Sequence, residues 1–469
     1  MPDRLPSRAV IDRQLEEAWD RLGVAGAAVG VVEHGEPIHV RGFGVRYLGR
    51  PEPVTPTTLF AIASITKTYT ATTAASLVEE GVLGWDEPVA RWLPELRLPG
   101  DTRGDLTIRD LLCHRTGIGR NVLLEMDTTF SSDDLLARFH LAPVIDPLRR
   151  RATYSNIGYL AAGTILARAA GRSWAELVQE RLLDPLDLHR TSVEFAATSR
   201  DADLAGAHEL ASDGPYEIDR TDRSRHAPAS VIYASITDLT SWLGWHAGRR
   251  RGGPVSVSGR RELIRPQVGG NSTGGWPWQV GKHAVGLGWH LSAVGPSTVA
   301  WHDGGVQGYA SIALFDLNHG NGVCALANSS DHAFVSTVAA RFTDWITGQD
   351  CHDRAARAAA ERPTIVEHRC GGEDQAERRS WLGTYEQGRL GRAELRQLGQ
   401  CLVLSFECAP RWRYHLPPTG SPSPGWLFED RQTGRVDPEE GRIVLVEGDG
   451  RPRLWSEEIG LWRGVTARS

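Results

Sequence analysis

Apolar positions along this chain follow two periods, and the change from one to the other lays out its elements. Over residues 25–45, in GAAVGVVEHGEPIHVRGFG, apolar residues come in short runs that predict two strands joined by a turn at His34-Gly35-Glu36. Residues 60–81, FAIASITKTYTATTAASLVEEG, run from a strand-like approach into a long, mostly apolar helix, with Ser64 in its first turn and Gly81 at its stop. A helical region follows. Residues 106–113 (LTIRDLLC) lead into His114-Arg115-Thr116-Gly117, residues 157–170 predict a small-residue helix ending at Gly171, and Ser173-Trp174-Ala175-Glu176 has capping-box spacing for the next. A further helix starts near Thr237, whereas residues 249–282, rich in Gly, Pro, Ser and Trp, read as a long loop. Strand patterns return at 286–292, 298–302, 309–316 and 322–327, with a turn at 318–321, before a helix over 334–346.

Strands, then helices, then strands imply a sheet assembled from both ends of one domain around a helical insert, with a cleft where the layers meet. Residues 349–380 are charged and alanine-rich, which fits a linker. From 381 to 469 about eight short alternating runs recur between Gly and Pro turns, the pattern of a small all-β barrel or sandwich. The expected fold is therefore α+β, an α/β sandwich with an antiparallel sheet and a helical insert over 1–348, a linker over 349–380, and a barrel-like antiparallel β domain over 381–469.

Composition narrows the partners. A net charge of -6 with 41% hydrophobic residues describes a globular chain with no electrostatic case for nucleic acid. The N-terminal stretch reads as a polar amphipathic helix without the apolar core of a signal peptide, and no run is long enough to span a membrane, so the expectation is a cytoplasmic protein without a membrane partner. The six cysteines show no Cys-x-x-Cys spacing, and neither a zinc site nor a disulfide framework is expected. No cofactor or metal is implied. A small molecule or a peptide is the expected substrate, and the oligomeric state is open.

The chemistry is carried by Ser64 and Lys67. Three residues apart on a helix, the ammonium stem lies over the hydroxyl, and unpaired backbone N–H groups at a helix start favour negative charge nearby. Of 52 basic residues only Lys67 and Lys282 are lysine. Arginine cannot lose its proton in a protein whereas a desolvated lysine can, so a lysine kept here suits a general base. A Ser-x-x-Lys in a chain this long can arise by chance, but the scarcity of lysine and the apolar helix weigh for function. Two other segments join it. In Tyr154-Ser155-Asn156 a phenol can relay a proton, and an amide can hold the lysine or a substrate amide; the bland alternative is a helix cap with a packed aromatic. In Trp301-His302-Asp303-Gly304-Gly305, glycines on a strand edge let a substrate backbone lie close, and the Gly305 N–H can face a developing oxyanion; the bland alternative is a glycine-rich hairpin.

Together these segments resemble the serine β-lactamase and penicillin-binding-protein-like superfamily, in particular its class C β-lactamase, D,D-carboxypeptidase and esterase branch. The resemblance spans roughly residues 8–347 and rests on SITK, YSN and HDG in that order, with LLCHRTGI similar to a further family segment in which Thr116 takes the place of a serine. It implies Ser64 as nucleophile, Lys67 as base, Tyr154 as proton relay, and Asn156, His302, Gly304 and Gly305 as substrate-binding residues. Residues 381–469 resemble the lipocalin-like C-terminal domain of some peptidase-type members. One departure bears on substrate: many members have Lys-Thr-Gly where this chain has His-Asp-Gly, and a histidine is only partly charged near neutral pH. A substrate carboxylate is less well served, and an ester or the amide of a free-amine peptide fits better. Trp276 and Trp278, in the long loop, are expected to line the acyl pocket, against the plainer possibility that they pack on the helices.

The expected activity is that of a serine hydrolase, a peptidase or esterase working through an acyl-enzyme. The same residues would serve a transacylase or peptide cyclase. A non-catalytic binding protein on this fold is the alternative of a different class, and the filled catalytic positions argue against it.

Overall fold

The computed structural model describes residues 5–98, 105–119, 130–211, 214–248, 252–269 and 283–348, together with backbone strands between 383 and 465. Its principal elements are α1 (Arg8–Leu22), β1 (Gly26–Glu33), β2 (Glu36–Gly44), α2 (Thr66–Glu79), α3 (Asn156–Ala170), α4 (Ile236–Ala247), α5 (Val257–Leu263), β3 (Val268–Gly269), β4 (His283–Val285), β5 (His290–Val294), β6 (Ser297–Val306), β7 (Tyr309–Asp316), β8 (Gly322–Ala327) and α6 (Ala333–Thr347). The eight strands form one antiparallel sheet in the order β2-β1-β8-β7-β6-β5-β4-β3. Strands from both ends of the domain thus meet at the β1–β8 pair, where Ala27 lies opposite Ala327 and Val31 opposite Val323. The helices between β2 and β3 are the insert.

The period-2 pattern sorts the two faces of the sheet. Val29, Val31, Ile312, Leu314, Val323 and Ala325 pack against Leu15 of α1 and Phe334, Val338 and Phe342 of α6. Their neighbours Ala28, Val32, Ala313, Phe315, Cys324 and Leu326 face the other way, into the core shared with α2 and α4. α2 sits inside that second core, with twelve of its residues buried, five of them threonine. A buried hydroxyl must be bonded, and three of these donate to carbonyls of the preceding turn: Thr68 to Ile65 O just before the helix, Thr72 to Thr68 O and Thr73 to Tyr69 O within it. Tyr69 stacks on Trp242 of α4 at 3.9 Å between ring centres, and the Trp242 indole N–H donates to Thr68 Oγ1 at 3.1 Å, which pins α2 to the sheet side.

Several expectations hold closely. The first hairpin turns at His34 and Gly35, both with positive φ (52° and 81°). Ser173 caps the helix that starts at Trp174 through a reciprocal bond with Glu176, and Gly171 ends α3 in the left-handed conformation. Three expectations need correction. The region 249–282 is not all loop: Ser256 accepts the Gly259 N–H as an N-cap and starts α5, a seven-residue helix whose few apolar residues hid its period. Residues 286–292 are not one strand, because Gly286–Trp289 form the turn of the β4–β5 hairpin, with Gly288 at φ 77°. Ser64 is not in the first turn of α2 but in a separate 3-10 turn, Ala63–Ile65, that precedes it. Trp276 and Trp278 lie outside the described residues.

Between Gly383 and Val465, nine short backbone segments pair antiparallel in a second sheet. No helix of the described residues is long and apolar enough to cross a membrane, and none of their His, Cys, Asp and Glu residues group as a metal site would.

Candidate active site

The turn that carries Ser64 is held from both sides. Ile62 donates its N–H to Ile232 O at 3.0 Å, and its carbonyl accepts from Ser311 Oγ of β7 at 2.8 Å. Between these anchors and α2, Ala63 is forced to φ 47°, a left-handed conformation that costs a non-glycine residue about 1–2 kcal/mol. Such strain persists only where the surroundings fix it, and here it turns Ser64 out of the strand and over the start of α2. Gly304 of β6 lies directly against this turn: a Cβ there would run into the Ile62 carbonyl oxygen and the Ser311 hydroxyl. Only glycine lets the strand come so near the serine.

Two side chains converge on the Ser64 oxygen. Lys67 Nζ donates to Ser64 Oγ at 3.1 Å, and the Tyr154 hydroxyl bonds to the same oxygen at 2.8 Å. Lys67 is completely buried; its Nζ also donates to the Ala229 carbonyl at 2.9 Å and lies 4.8 Å from the ring centre of Tyr154 and 5.5 Å from that of Tyr159. Tyr154 is positioned by its neighbours. Ser155 caps α3 by accepting the Gly158 N–H, its own N–H donates to His114 Nδ1 at 3.1 Å, and the His114 ring packs 4.5 Å from that of Tyr154. Because His114 Nδ1 accepts, its ring is neutral with its proton on Nε2, and burial, reinforced by the charge of Lys67, keeps its pKa well below the ordinary imidazole range. Asp110, itself buried, takes Arg115 and Arg149 and so ties down the loop that carries His114.

Asn156 is the first residue of α3, half-buried and two positions after Tyr154. On the opposite wall, β5 ends at His290, opposite Trp301, so β6 runs on through His302, Asp303, Gly304 and Gly305 paired on the β7 side, with its other edge past β5. His302 shares the face of Gly304, toward the serine. Its ring is 2% exposed; burial, then the charge of Lys67, pushes its pKa down to about 3, and Nδ1 lies 2.6 Å from the Asp303 carbonyl oxygen. The position is thus a neutral ring, more decisively than partial charging near neutral pH suggests.

The structure therefore brings Ser64, Lys67 and Tyr154 into direct contact and sets Gly304 against their turn. The Ala229 carbonyl and His114 take part without having been singled out as site residues. A backbone carbonyl carries no side-chain signal, and the signal for His114 was its place in LLCHRTGI. A serine hydroxyl bonded by a buried amine and a phenol, beside a strand edge, has the groups that a serine nucleophile calls for.

The comparisons bear on the family and the fold. The family model described as Beta-lactamase matches residues 11–343, and the chain belongs to that family. Among curated proteins, the Protein flp of Staphylococcus aureus (strain N315) is 22% identical over 69% of this chain and 63% of its own length. The Unguisins hydrolase ungD of Aspergillus violaceofuscus is 27% identical over 70% of this chain and 62% of its own. The chain thus spans somewhat under two thirds of these relatives. The solved structure of an octameric penicillin-binding protein homologue from Pyrococcus abyssi superposes with a TM-score of 0.65 at 21% identity, covering 97% of this chain and all of the other, a likeness of fold.

Proposed function

We propose that this chain is a serine hydrolase that cleaves an ester or amide bond through a covalent acyl-enzyme at Ser64. The observation that carries the reading is the double hydrogen bond on Ser64 Oγ from Lys67 and Tyr154. In this reading Lys67 is the base, and its amine takes the serine proton as Oγ attacks the carbonyl carbon. Tyr154 then passes a proton to the leaving oxygen or nitrogen, and the collapse of the tetrahedral adduct leaves the acyl group on Ser64. The N–H groups of Ser64 and Gly305 take the oxyanion, Asn156 binds the acyl side, and water releases the product. The membership of the family and its hydrolase relative support this reading. His302 in place of a fixed cation favours substrates without a carboxylate beside the scissile carbonyl. Residues 1–348 form the catalytic domain and 381–469 an appended β domain that controls access for bulky acceptors.

The test is a panel of p-nitrophenyl esters and aminoacyl anilides with intact-protein mass spectrometry. A mass increase equal to the acyl group, mapped to Ser64 and absent in Ser64→Ala, is the expected result; turnover without an adduct, or an adduct elsewhere, overturns it. Repeating the reaction with added amines tells transfer from hydrolysis, since a transacylase partitions its acyl group to the amine at millimolar concentration.

A further inference from the structure

Behind His302 stands a row of aromatic and imidazole rings that the mechanism does not use. His290 of β5 lies opposite Trp301 of β6, stacks on its indole at 4.5 Å and 24°, and reaches within 5.1 Å of the His302 ring centre. On its far side, His290 Nδ1 is 3.2 Å from His283 Nε2, and His283 Nδ1 is 3.4 Å from Ser292 Oγ. The Trp301 indole N–H donates to that same Ser292 oxygen at 3.0 Å. This donation leaves the Ser292 hydroxyl proton for His283 Nδ1, which leaves the His283 Nε2 proton for His290 Nδ1. The row is therefore satisfied with each ring neutral, and burial favours neutral rings at both His283 and His290.

The end of the row decides what a substrate meets. A backbone carbonyl can only accept, so the contact between His302 Nδ1 and the Asp303 oxygen places the ring proton on Nδ1. In a neutral ring the remaining nitrogen, Nε2, is then an acceptor. Where the resemblance implies a lysine in many members, a pure donor, this chain has an acceptor with rings packed behind it.

We propose that His290, backed by His283, is a positioning residue that holds His302 with Nε2 as a hydrogen-bond acceptor, so that this site selects acyl groups bearing a hydrogen-bond donor near the scissile carbonyl. The class is hydroxyacyl or aminoacyl, and an acyl group with a carboxylate there meets an acceptor facing an anion. This inference rests on the acyl-enzyme reading above.

The full chain is assayed with p-nitrophenyl esters of one acyl length that carry hydrogen, hydroxyl, methoxy or carboxylate at the carbon next to the carbonyl. Hydroxyl and methoxy differ in the donor and in one methyl group, and a methyl-bearing ester of the same series reports the effect of bulk alone. The parent is expected to favour hydroxyl over methoxy and over carboxylate by about tenfold or more in kcat/KM. His290→Leu is expected to reduce the hydroxyl-to-methoxy ratio to within about threefold, chiefly by raising KM for the hydroxyl ester, and His290→Gln, which keeps a polar side chain in the row, to restore part of it. Labelling of Ser64 by a fluorophosphonate, read by mass, reports on the nucleophile in each variant. A parent that treats hydroxyl and methoxy alike, or prefers the carboxylate ester, overturns the proposal. A preference unchanged in His290→Leu but lost in His302→Phe overturns the role of His290. If no ester turns over and Ser64 is not labelled, the acyl-enzyme reading itself has failed, an outcome distinct from an unselective but labelled enzyme.

Discussion

The two walls of the cleft are built on opposite plans. On the helical wall Ser64 Oγ receives both Lys67 and Tyr154, Lys67 is wholly buried, and the turn before the serine is bonded at both its N–H and its carbonyl. On the sheet wall, β6 continues past the end of β5 with two glycines and one neutral ring. The first wall leaves its reacting atoms one arrangement, as proton transfer over about 3 Å requires. The second leaves backbone and space, as recognition of an extended group requires.

The largest test of the first wall is Ser64→Ala. Losing the hydroxyl removes the nucleophile and little packing, so kcat/KM on the best ester should drop by at least about a thousandfold with Tm within a few degrees of the parent. Residual activity within tenfold of the parent would place the chemistry elsewhere. Next comes Lys67→Arg. The amine sits between Ser64 Oγ and the Ala229 carbonyl, and a guanidinium there keeps the charge but cannot take a proton. A loss of about a hundred- to ten-thousandfold, close to that of Lys67→Ala, is expected in steady-state kinetics. Substantial activity with arginine would make the lysine an electrostatic anchor.

Where the walls touch, Gly304→Ala asks how closely they must meet. The new methyl has to displace either the Ile62 carbonyl or the strand, and a shift of about 1 Å at such a site costs on the order of a hundredfold. The expected pattern is that loss in kcat/KM, with Ser64 still labelled by a fluorophosphonate. A variant as active as the parent would show that the strand edge can withdraw without consequence.

The meeting of Ser64, Lys67 and Tyr154 was legible in the sequence because the proposed chemistry calls for particular residue types at short spacing, in SITK and in Tyr154-Ser155-Asn156. A lysine kept in a chain otherwise supplied with arginine was itself a sign. The strands at 309–316 and 322–327 were legible because one period runs unbroken through each, and their observed bounds, Tyr309–Asp316 and Gly322–Ala327, coincide with the pattern. The hairpin at Gly286–Trp289 was not legible, since its turn is made of residues, Leu287 and Trp289, that are buried and apolar like a strand's. Nor was the strained Ala63, because alanine gives no sign of positive φ; the force that puts it there comes from Ile232 and Ser311, far along the chain. The same holds for the row behind His302, where Trp301, Ser292, His283 and His290 meet only through strand pairing.

The smallest expected effect contrasts the site with a histidine remote from the chemistry. His246 of α4 is 6% exposed, packed edge-on to Trp242, Trp245 and Trp289, and burial, then the charge of Arg260, holds its pKa well below the ordinary value of 6.5. In the unfolded chain the ring takes up a proton below about pH 6.5, and in the folded protein it does not. The unfolded state then binds more protons, so stability is fully present above that pH and falls as pH decreases, by about 1.4 kcal/mol per pH unit for this one ring. In His246→Leu the contribution vanishes, so the urea-derived stability should decline less between pH 6.5 and 5.5 than in the parent, by about 1 kcal/mol, since the unfolded ring is already half protonated at the upper end. Cavity or shape effects of the substitution shift both pH values together and leave the difference in slope intact. Parallel slopes would mean that His246 is protonated in the folded protein too, and that the aromatic box around it admits water. Hydrolysis at pH 7.5 should be unchanged in this variant, which separates the packing of α4 from the wall that does the chemistry.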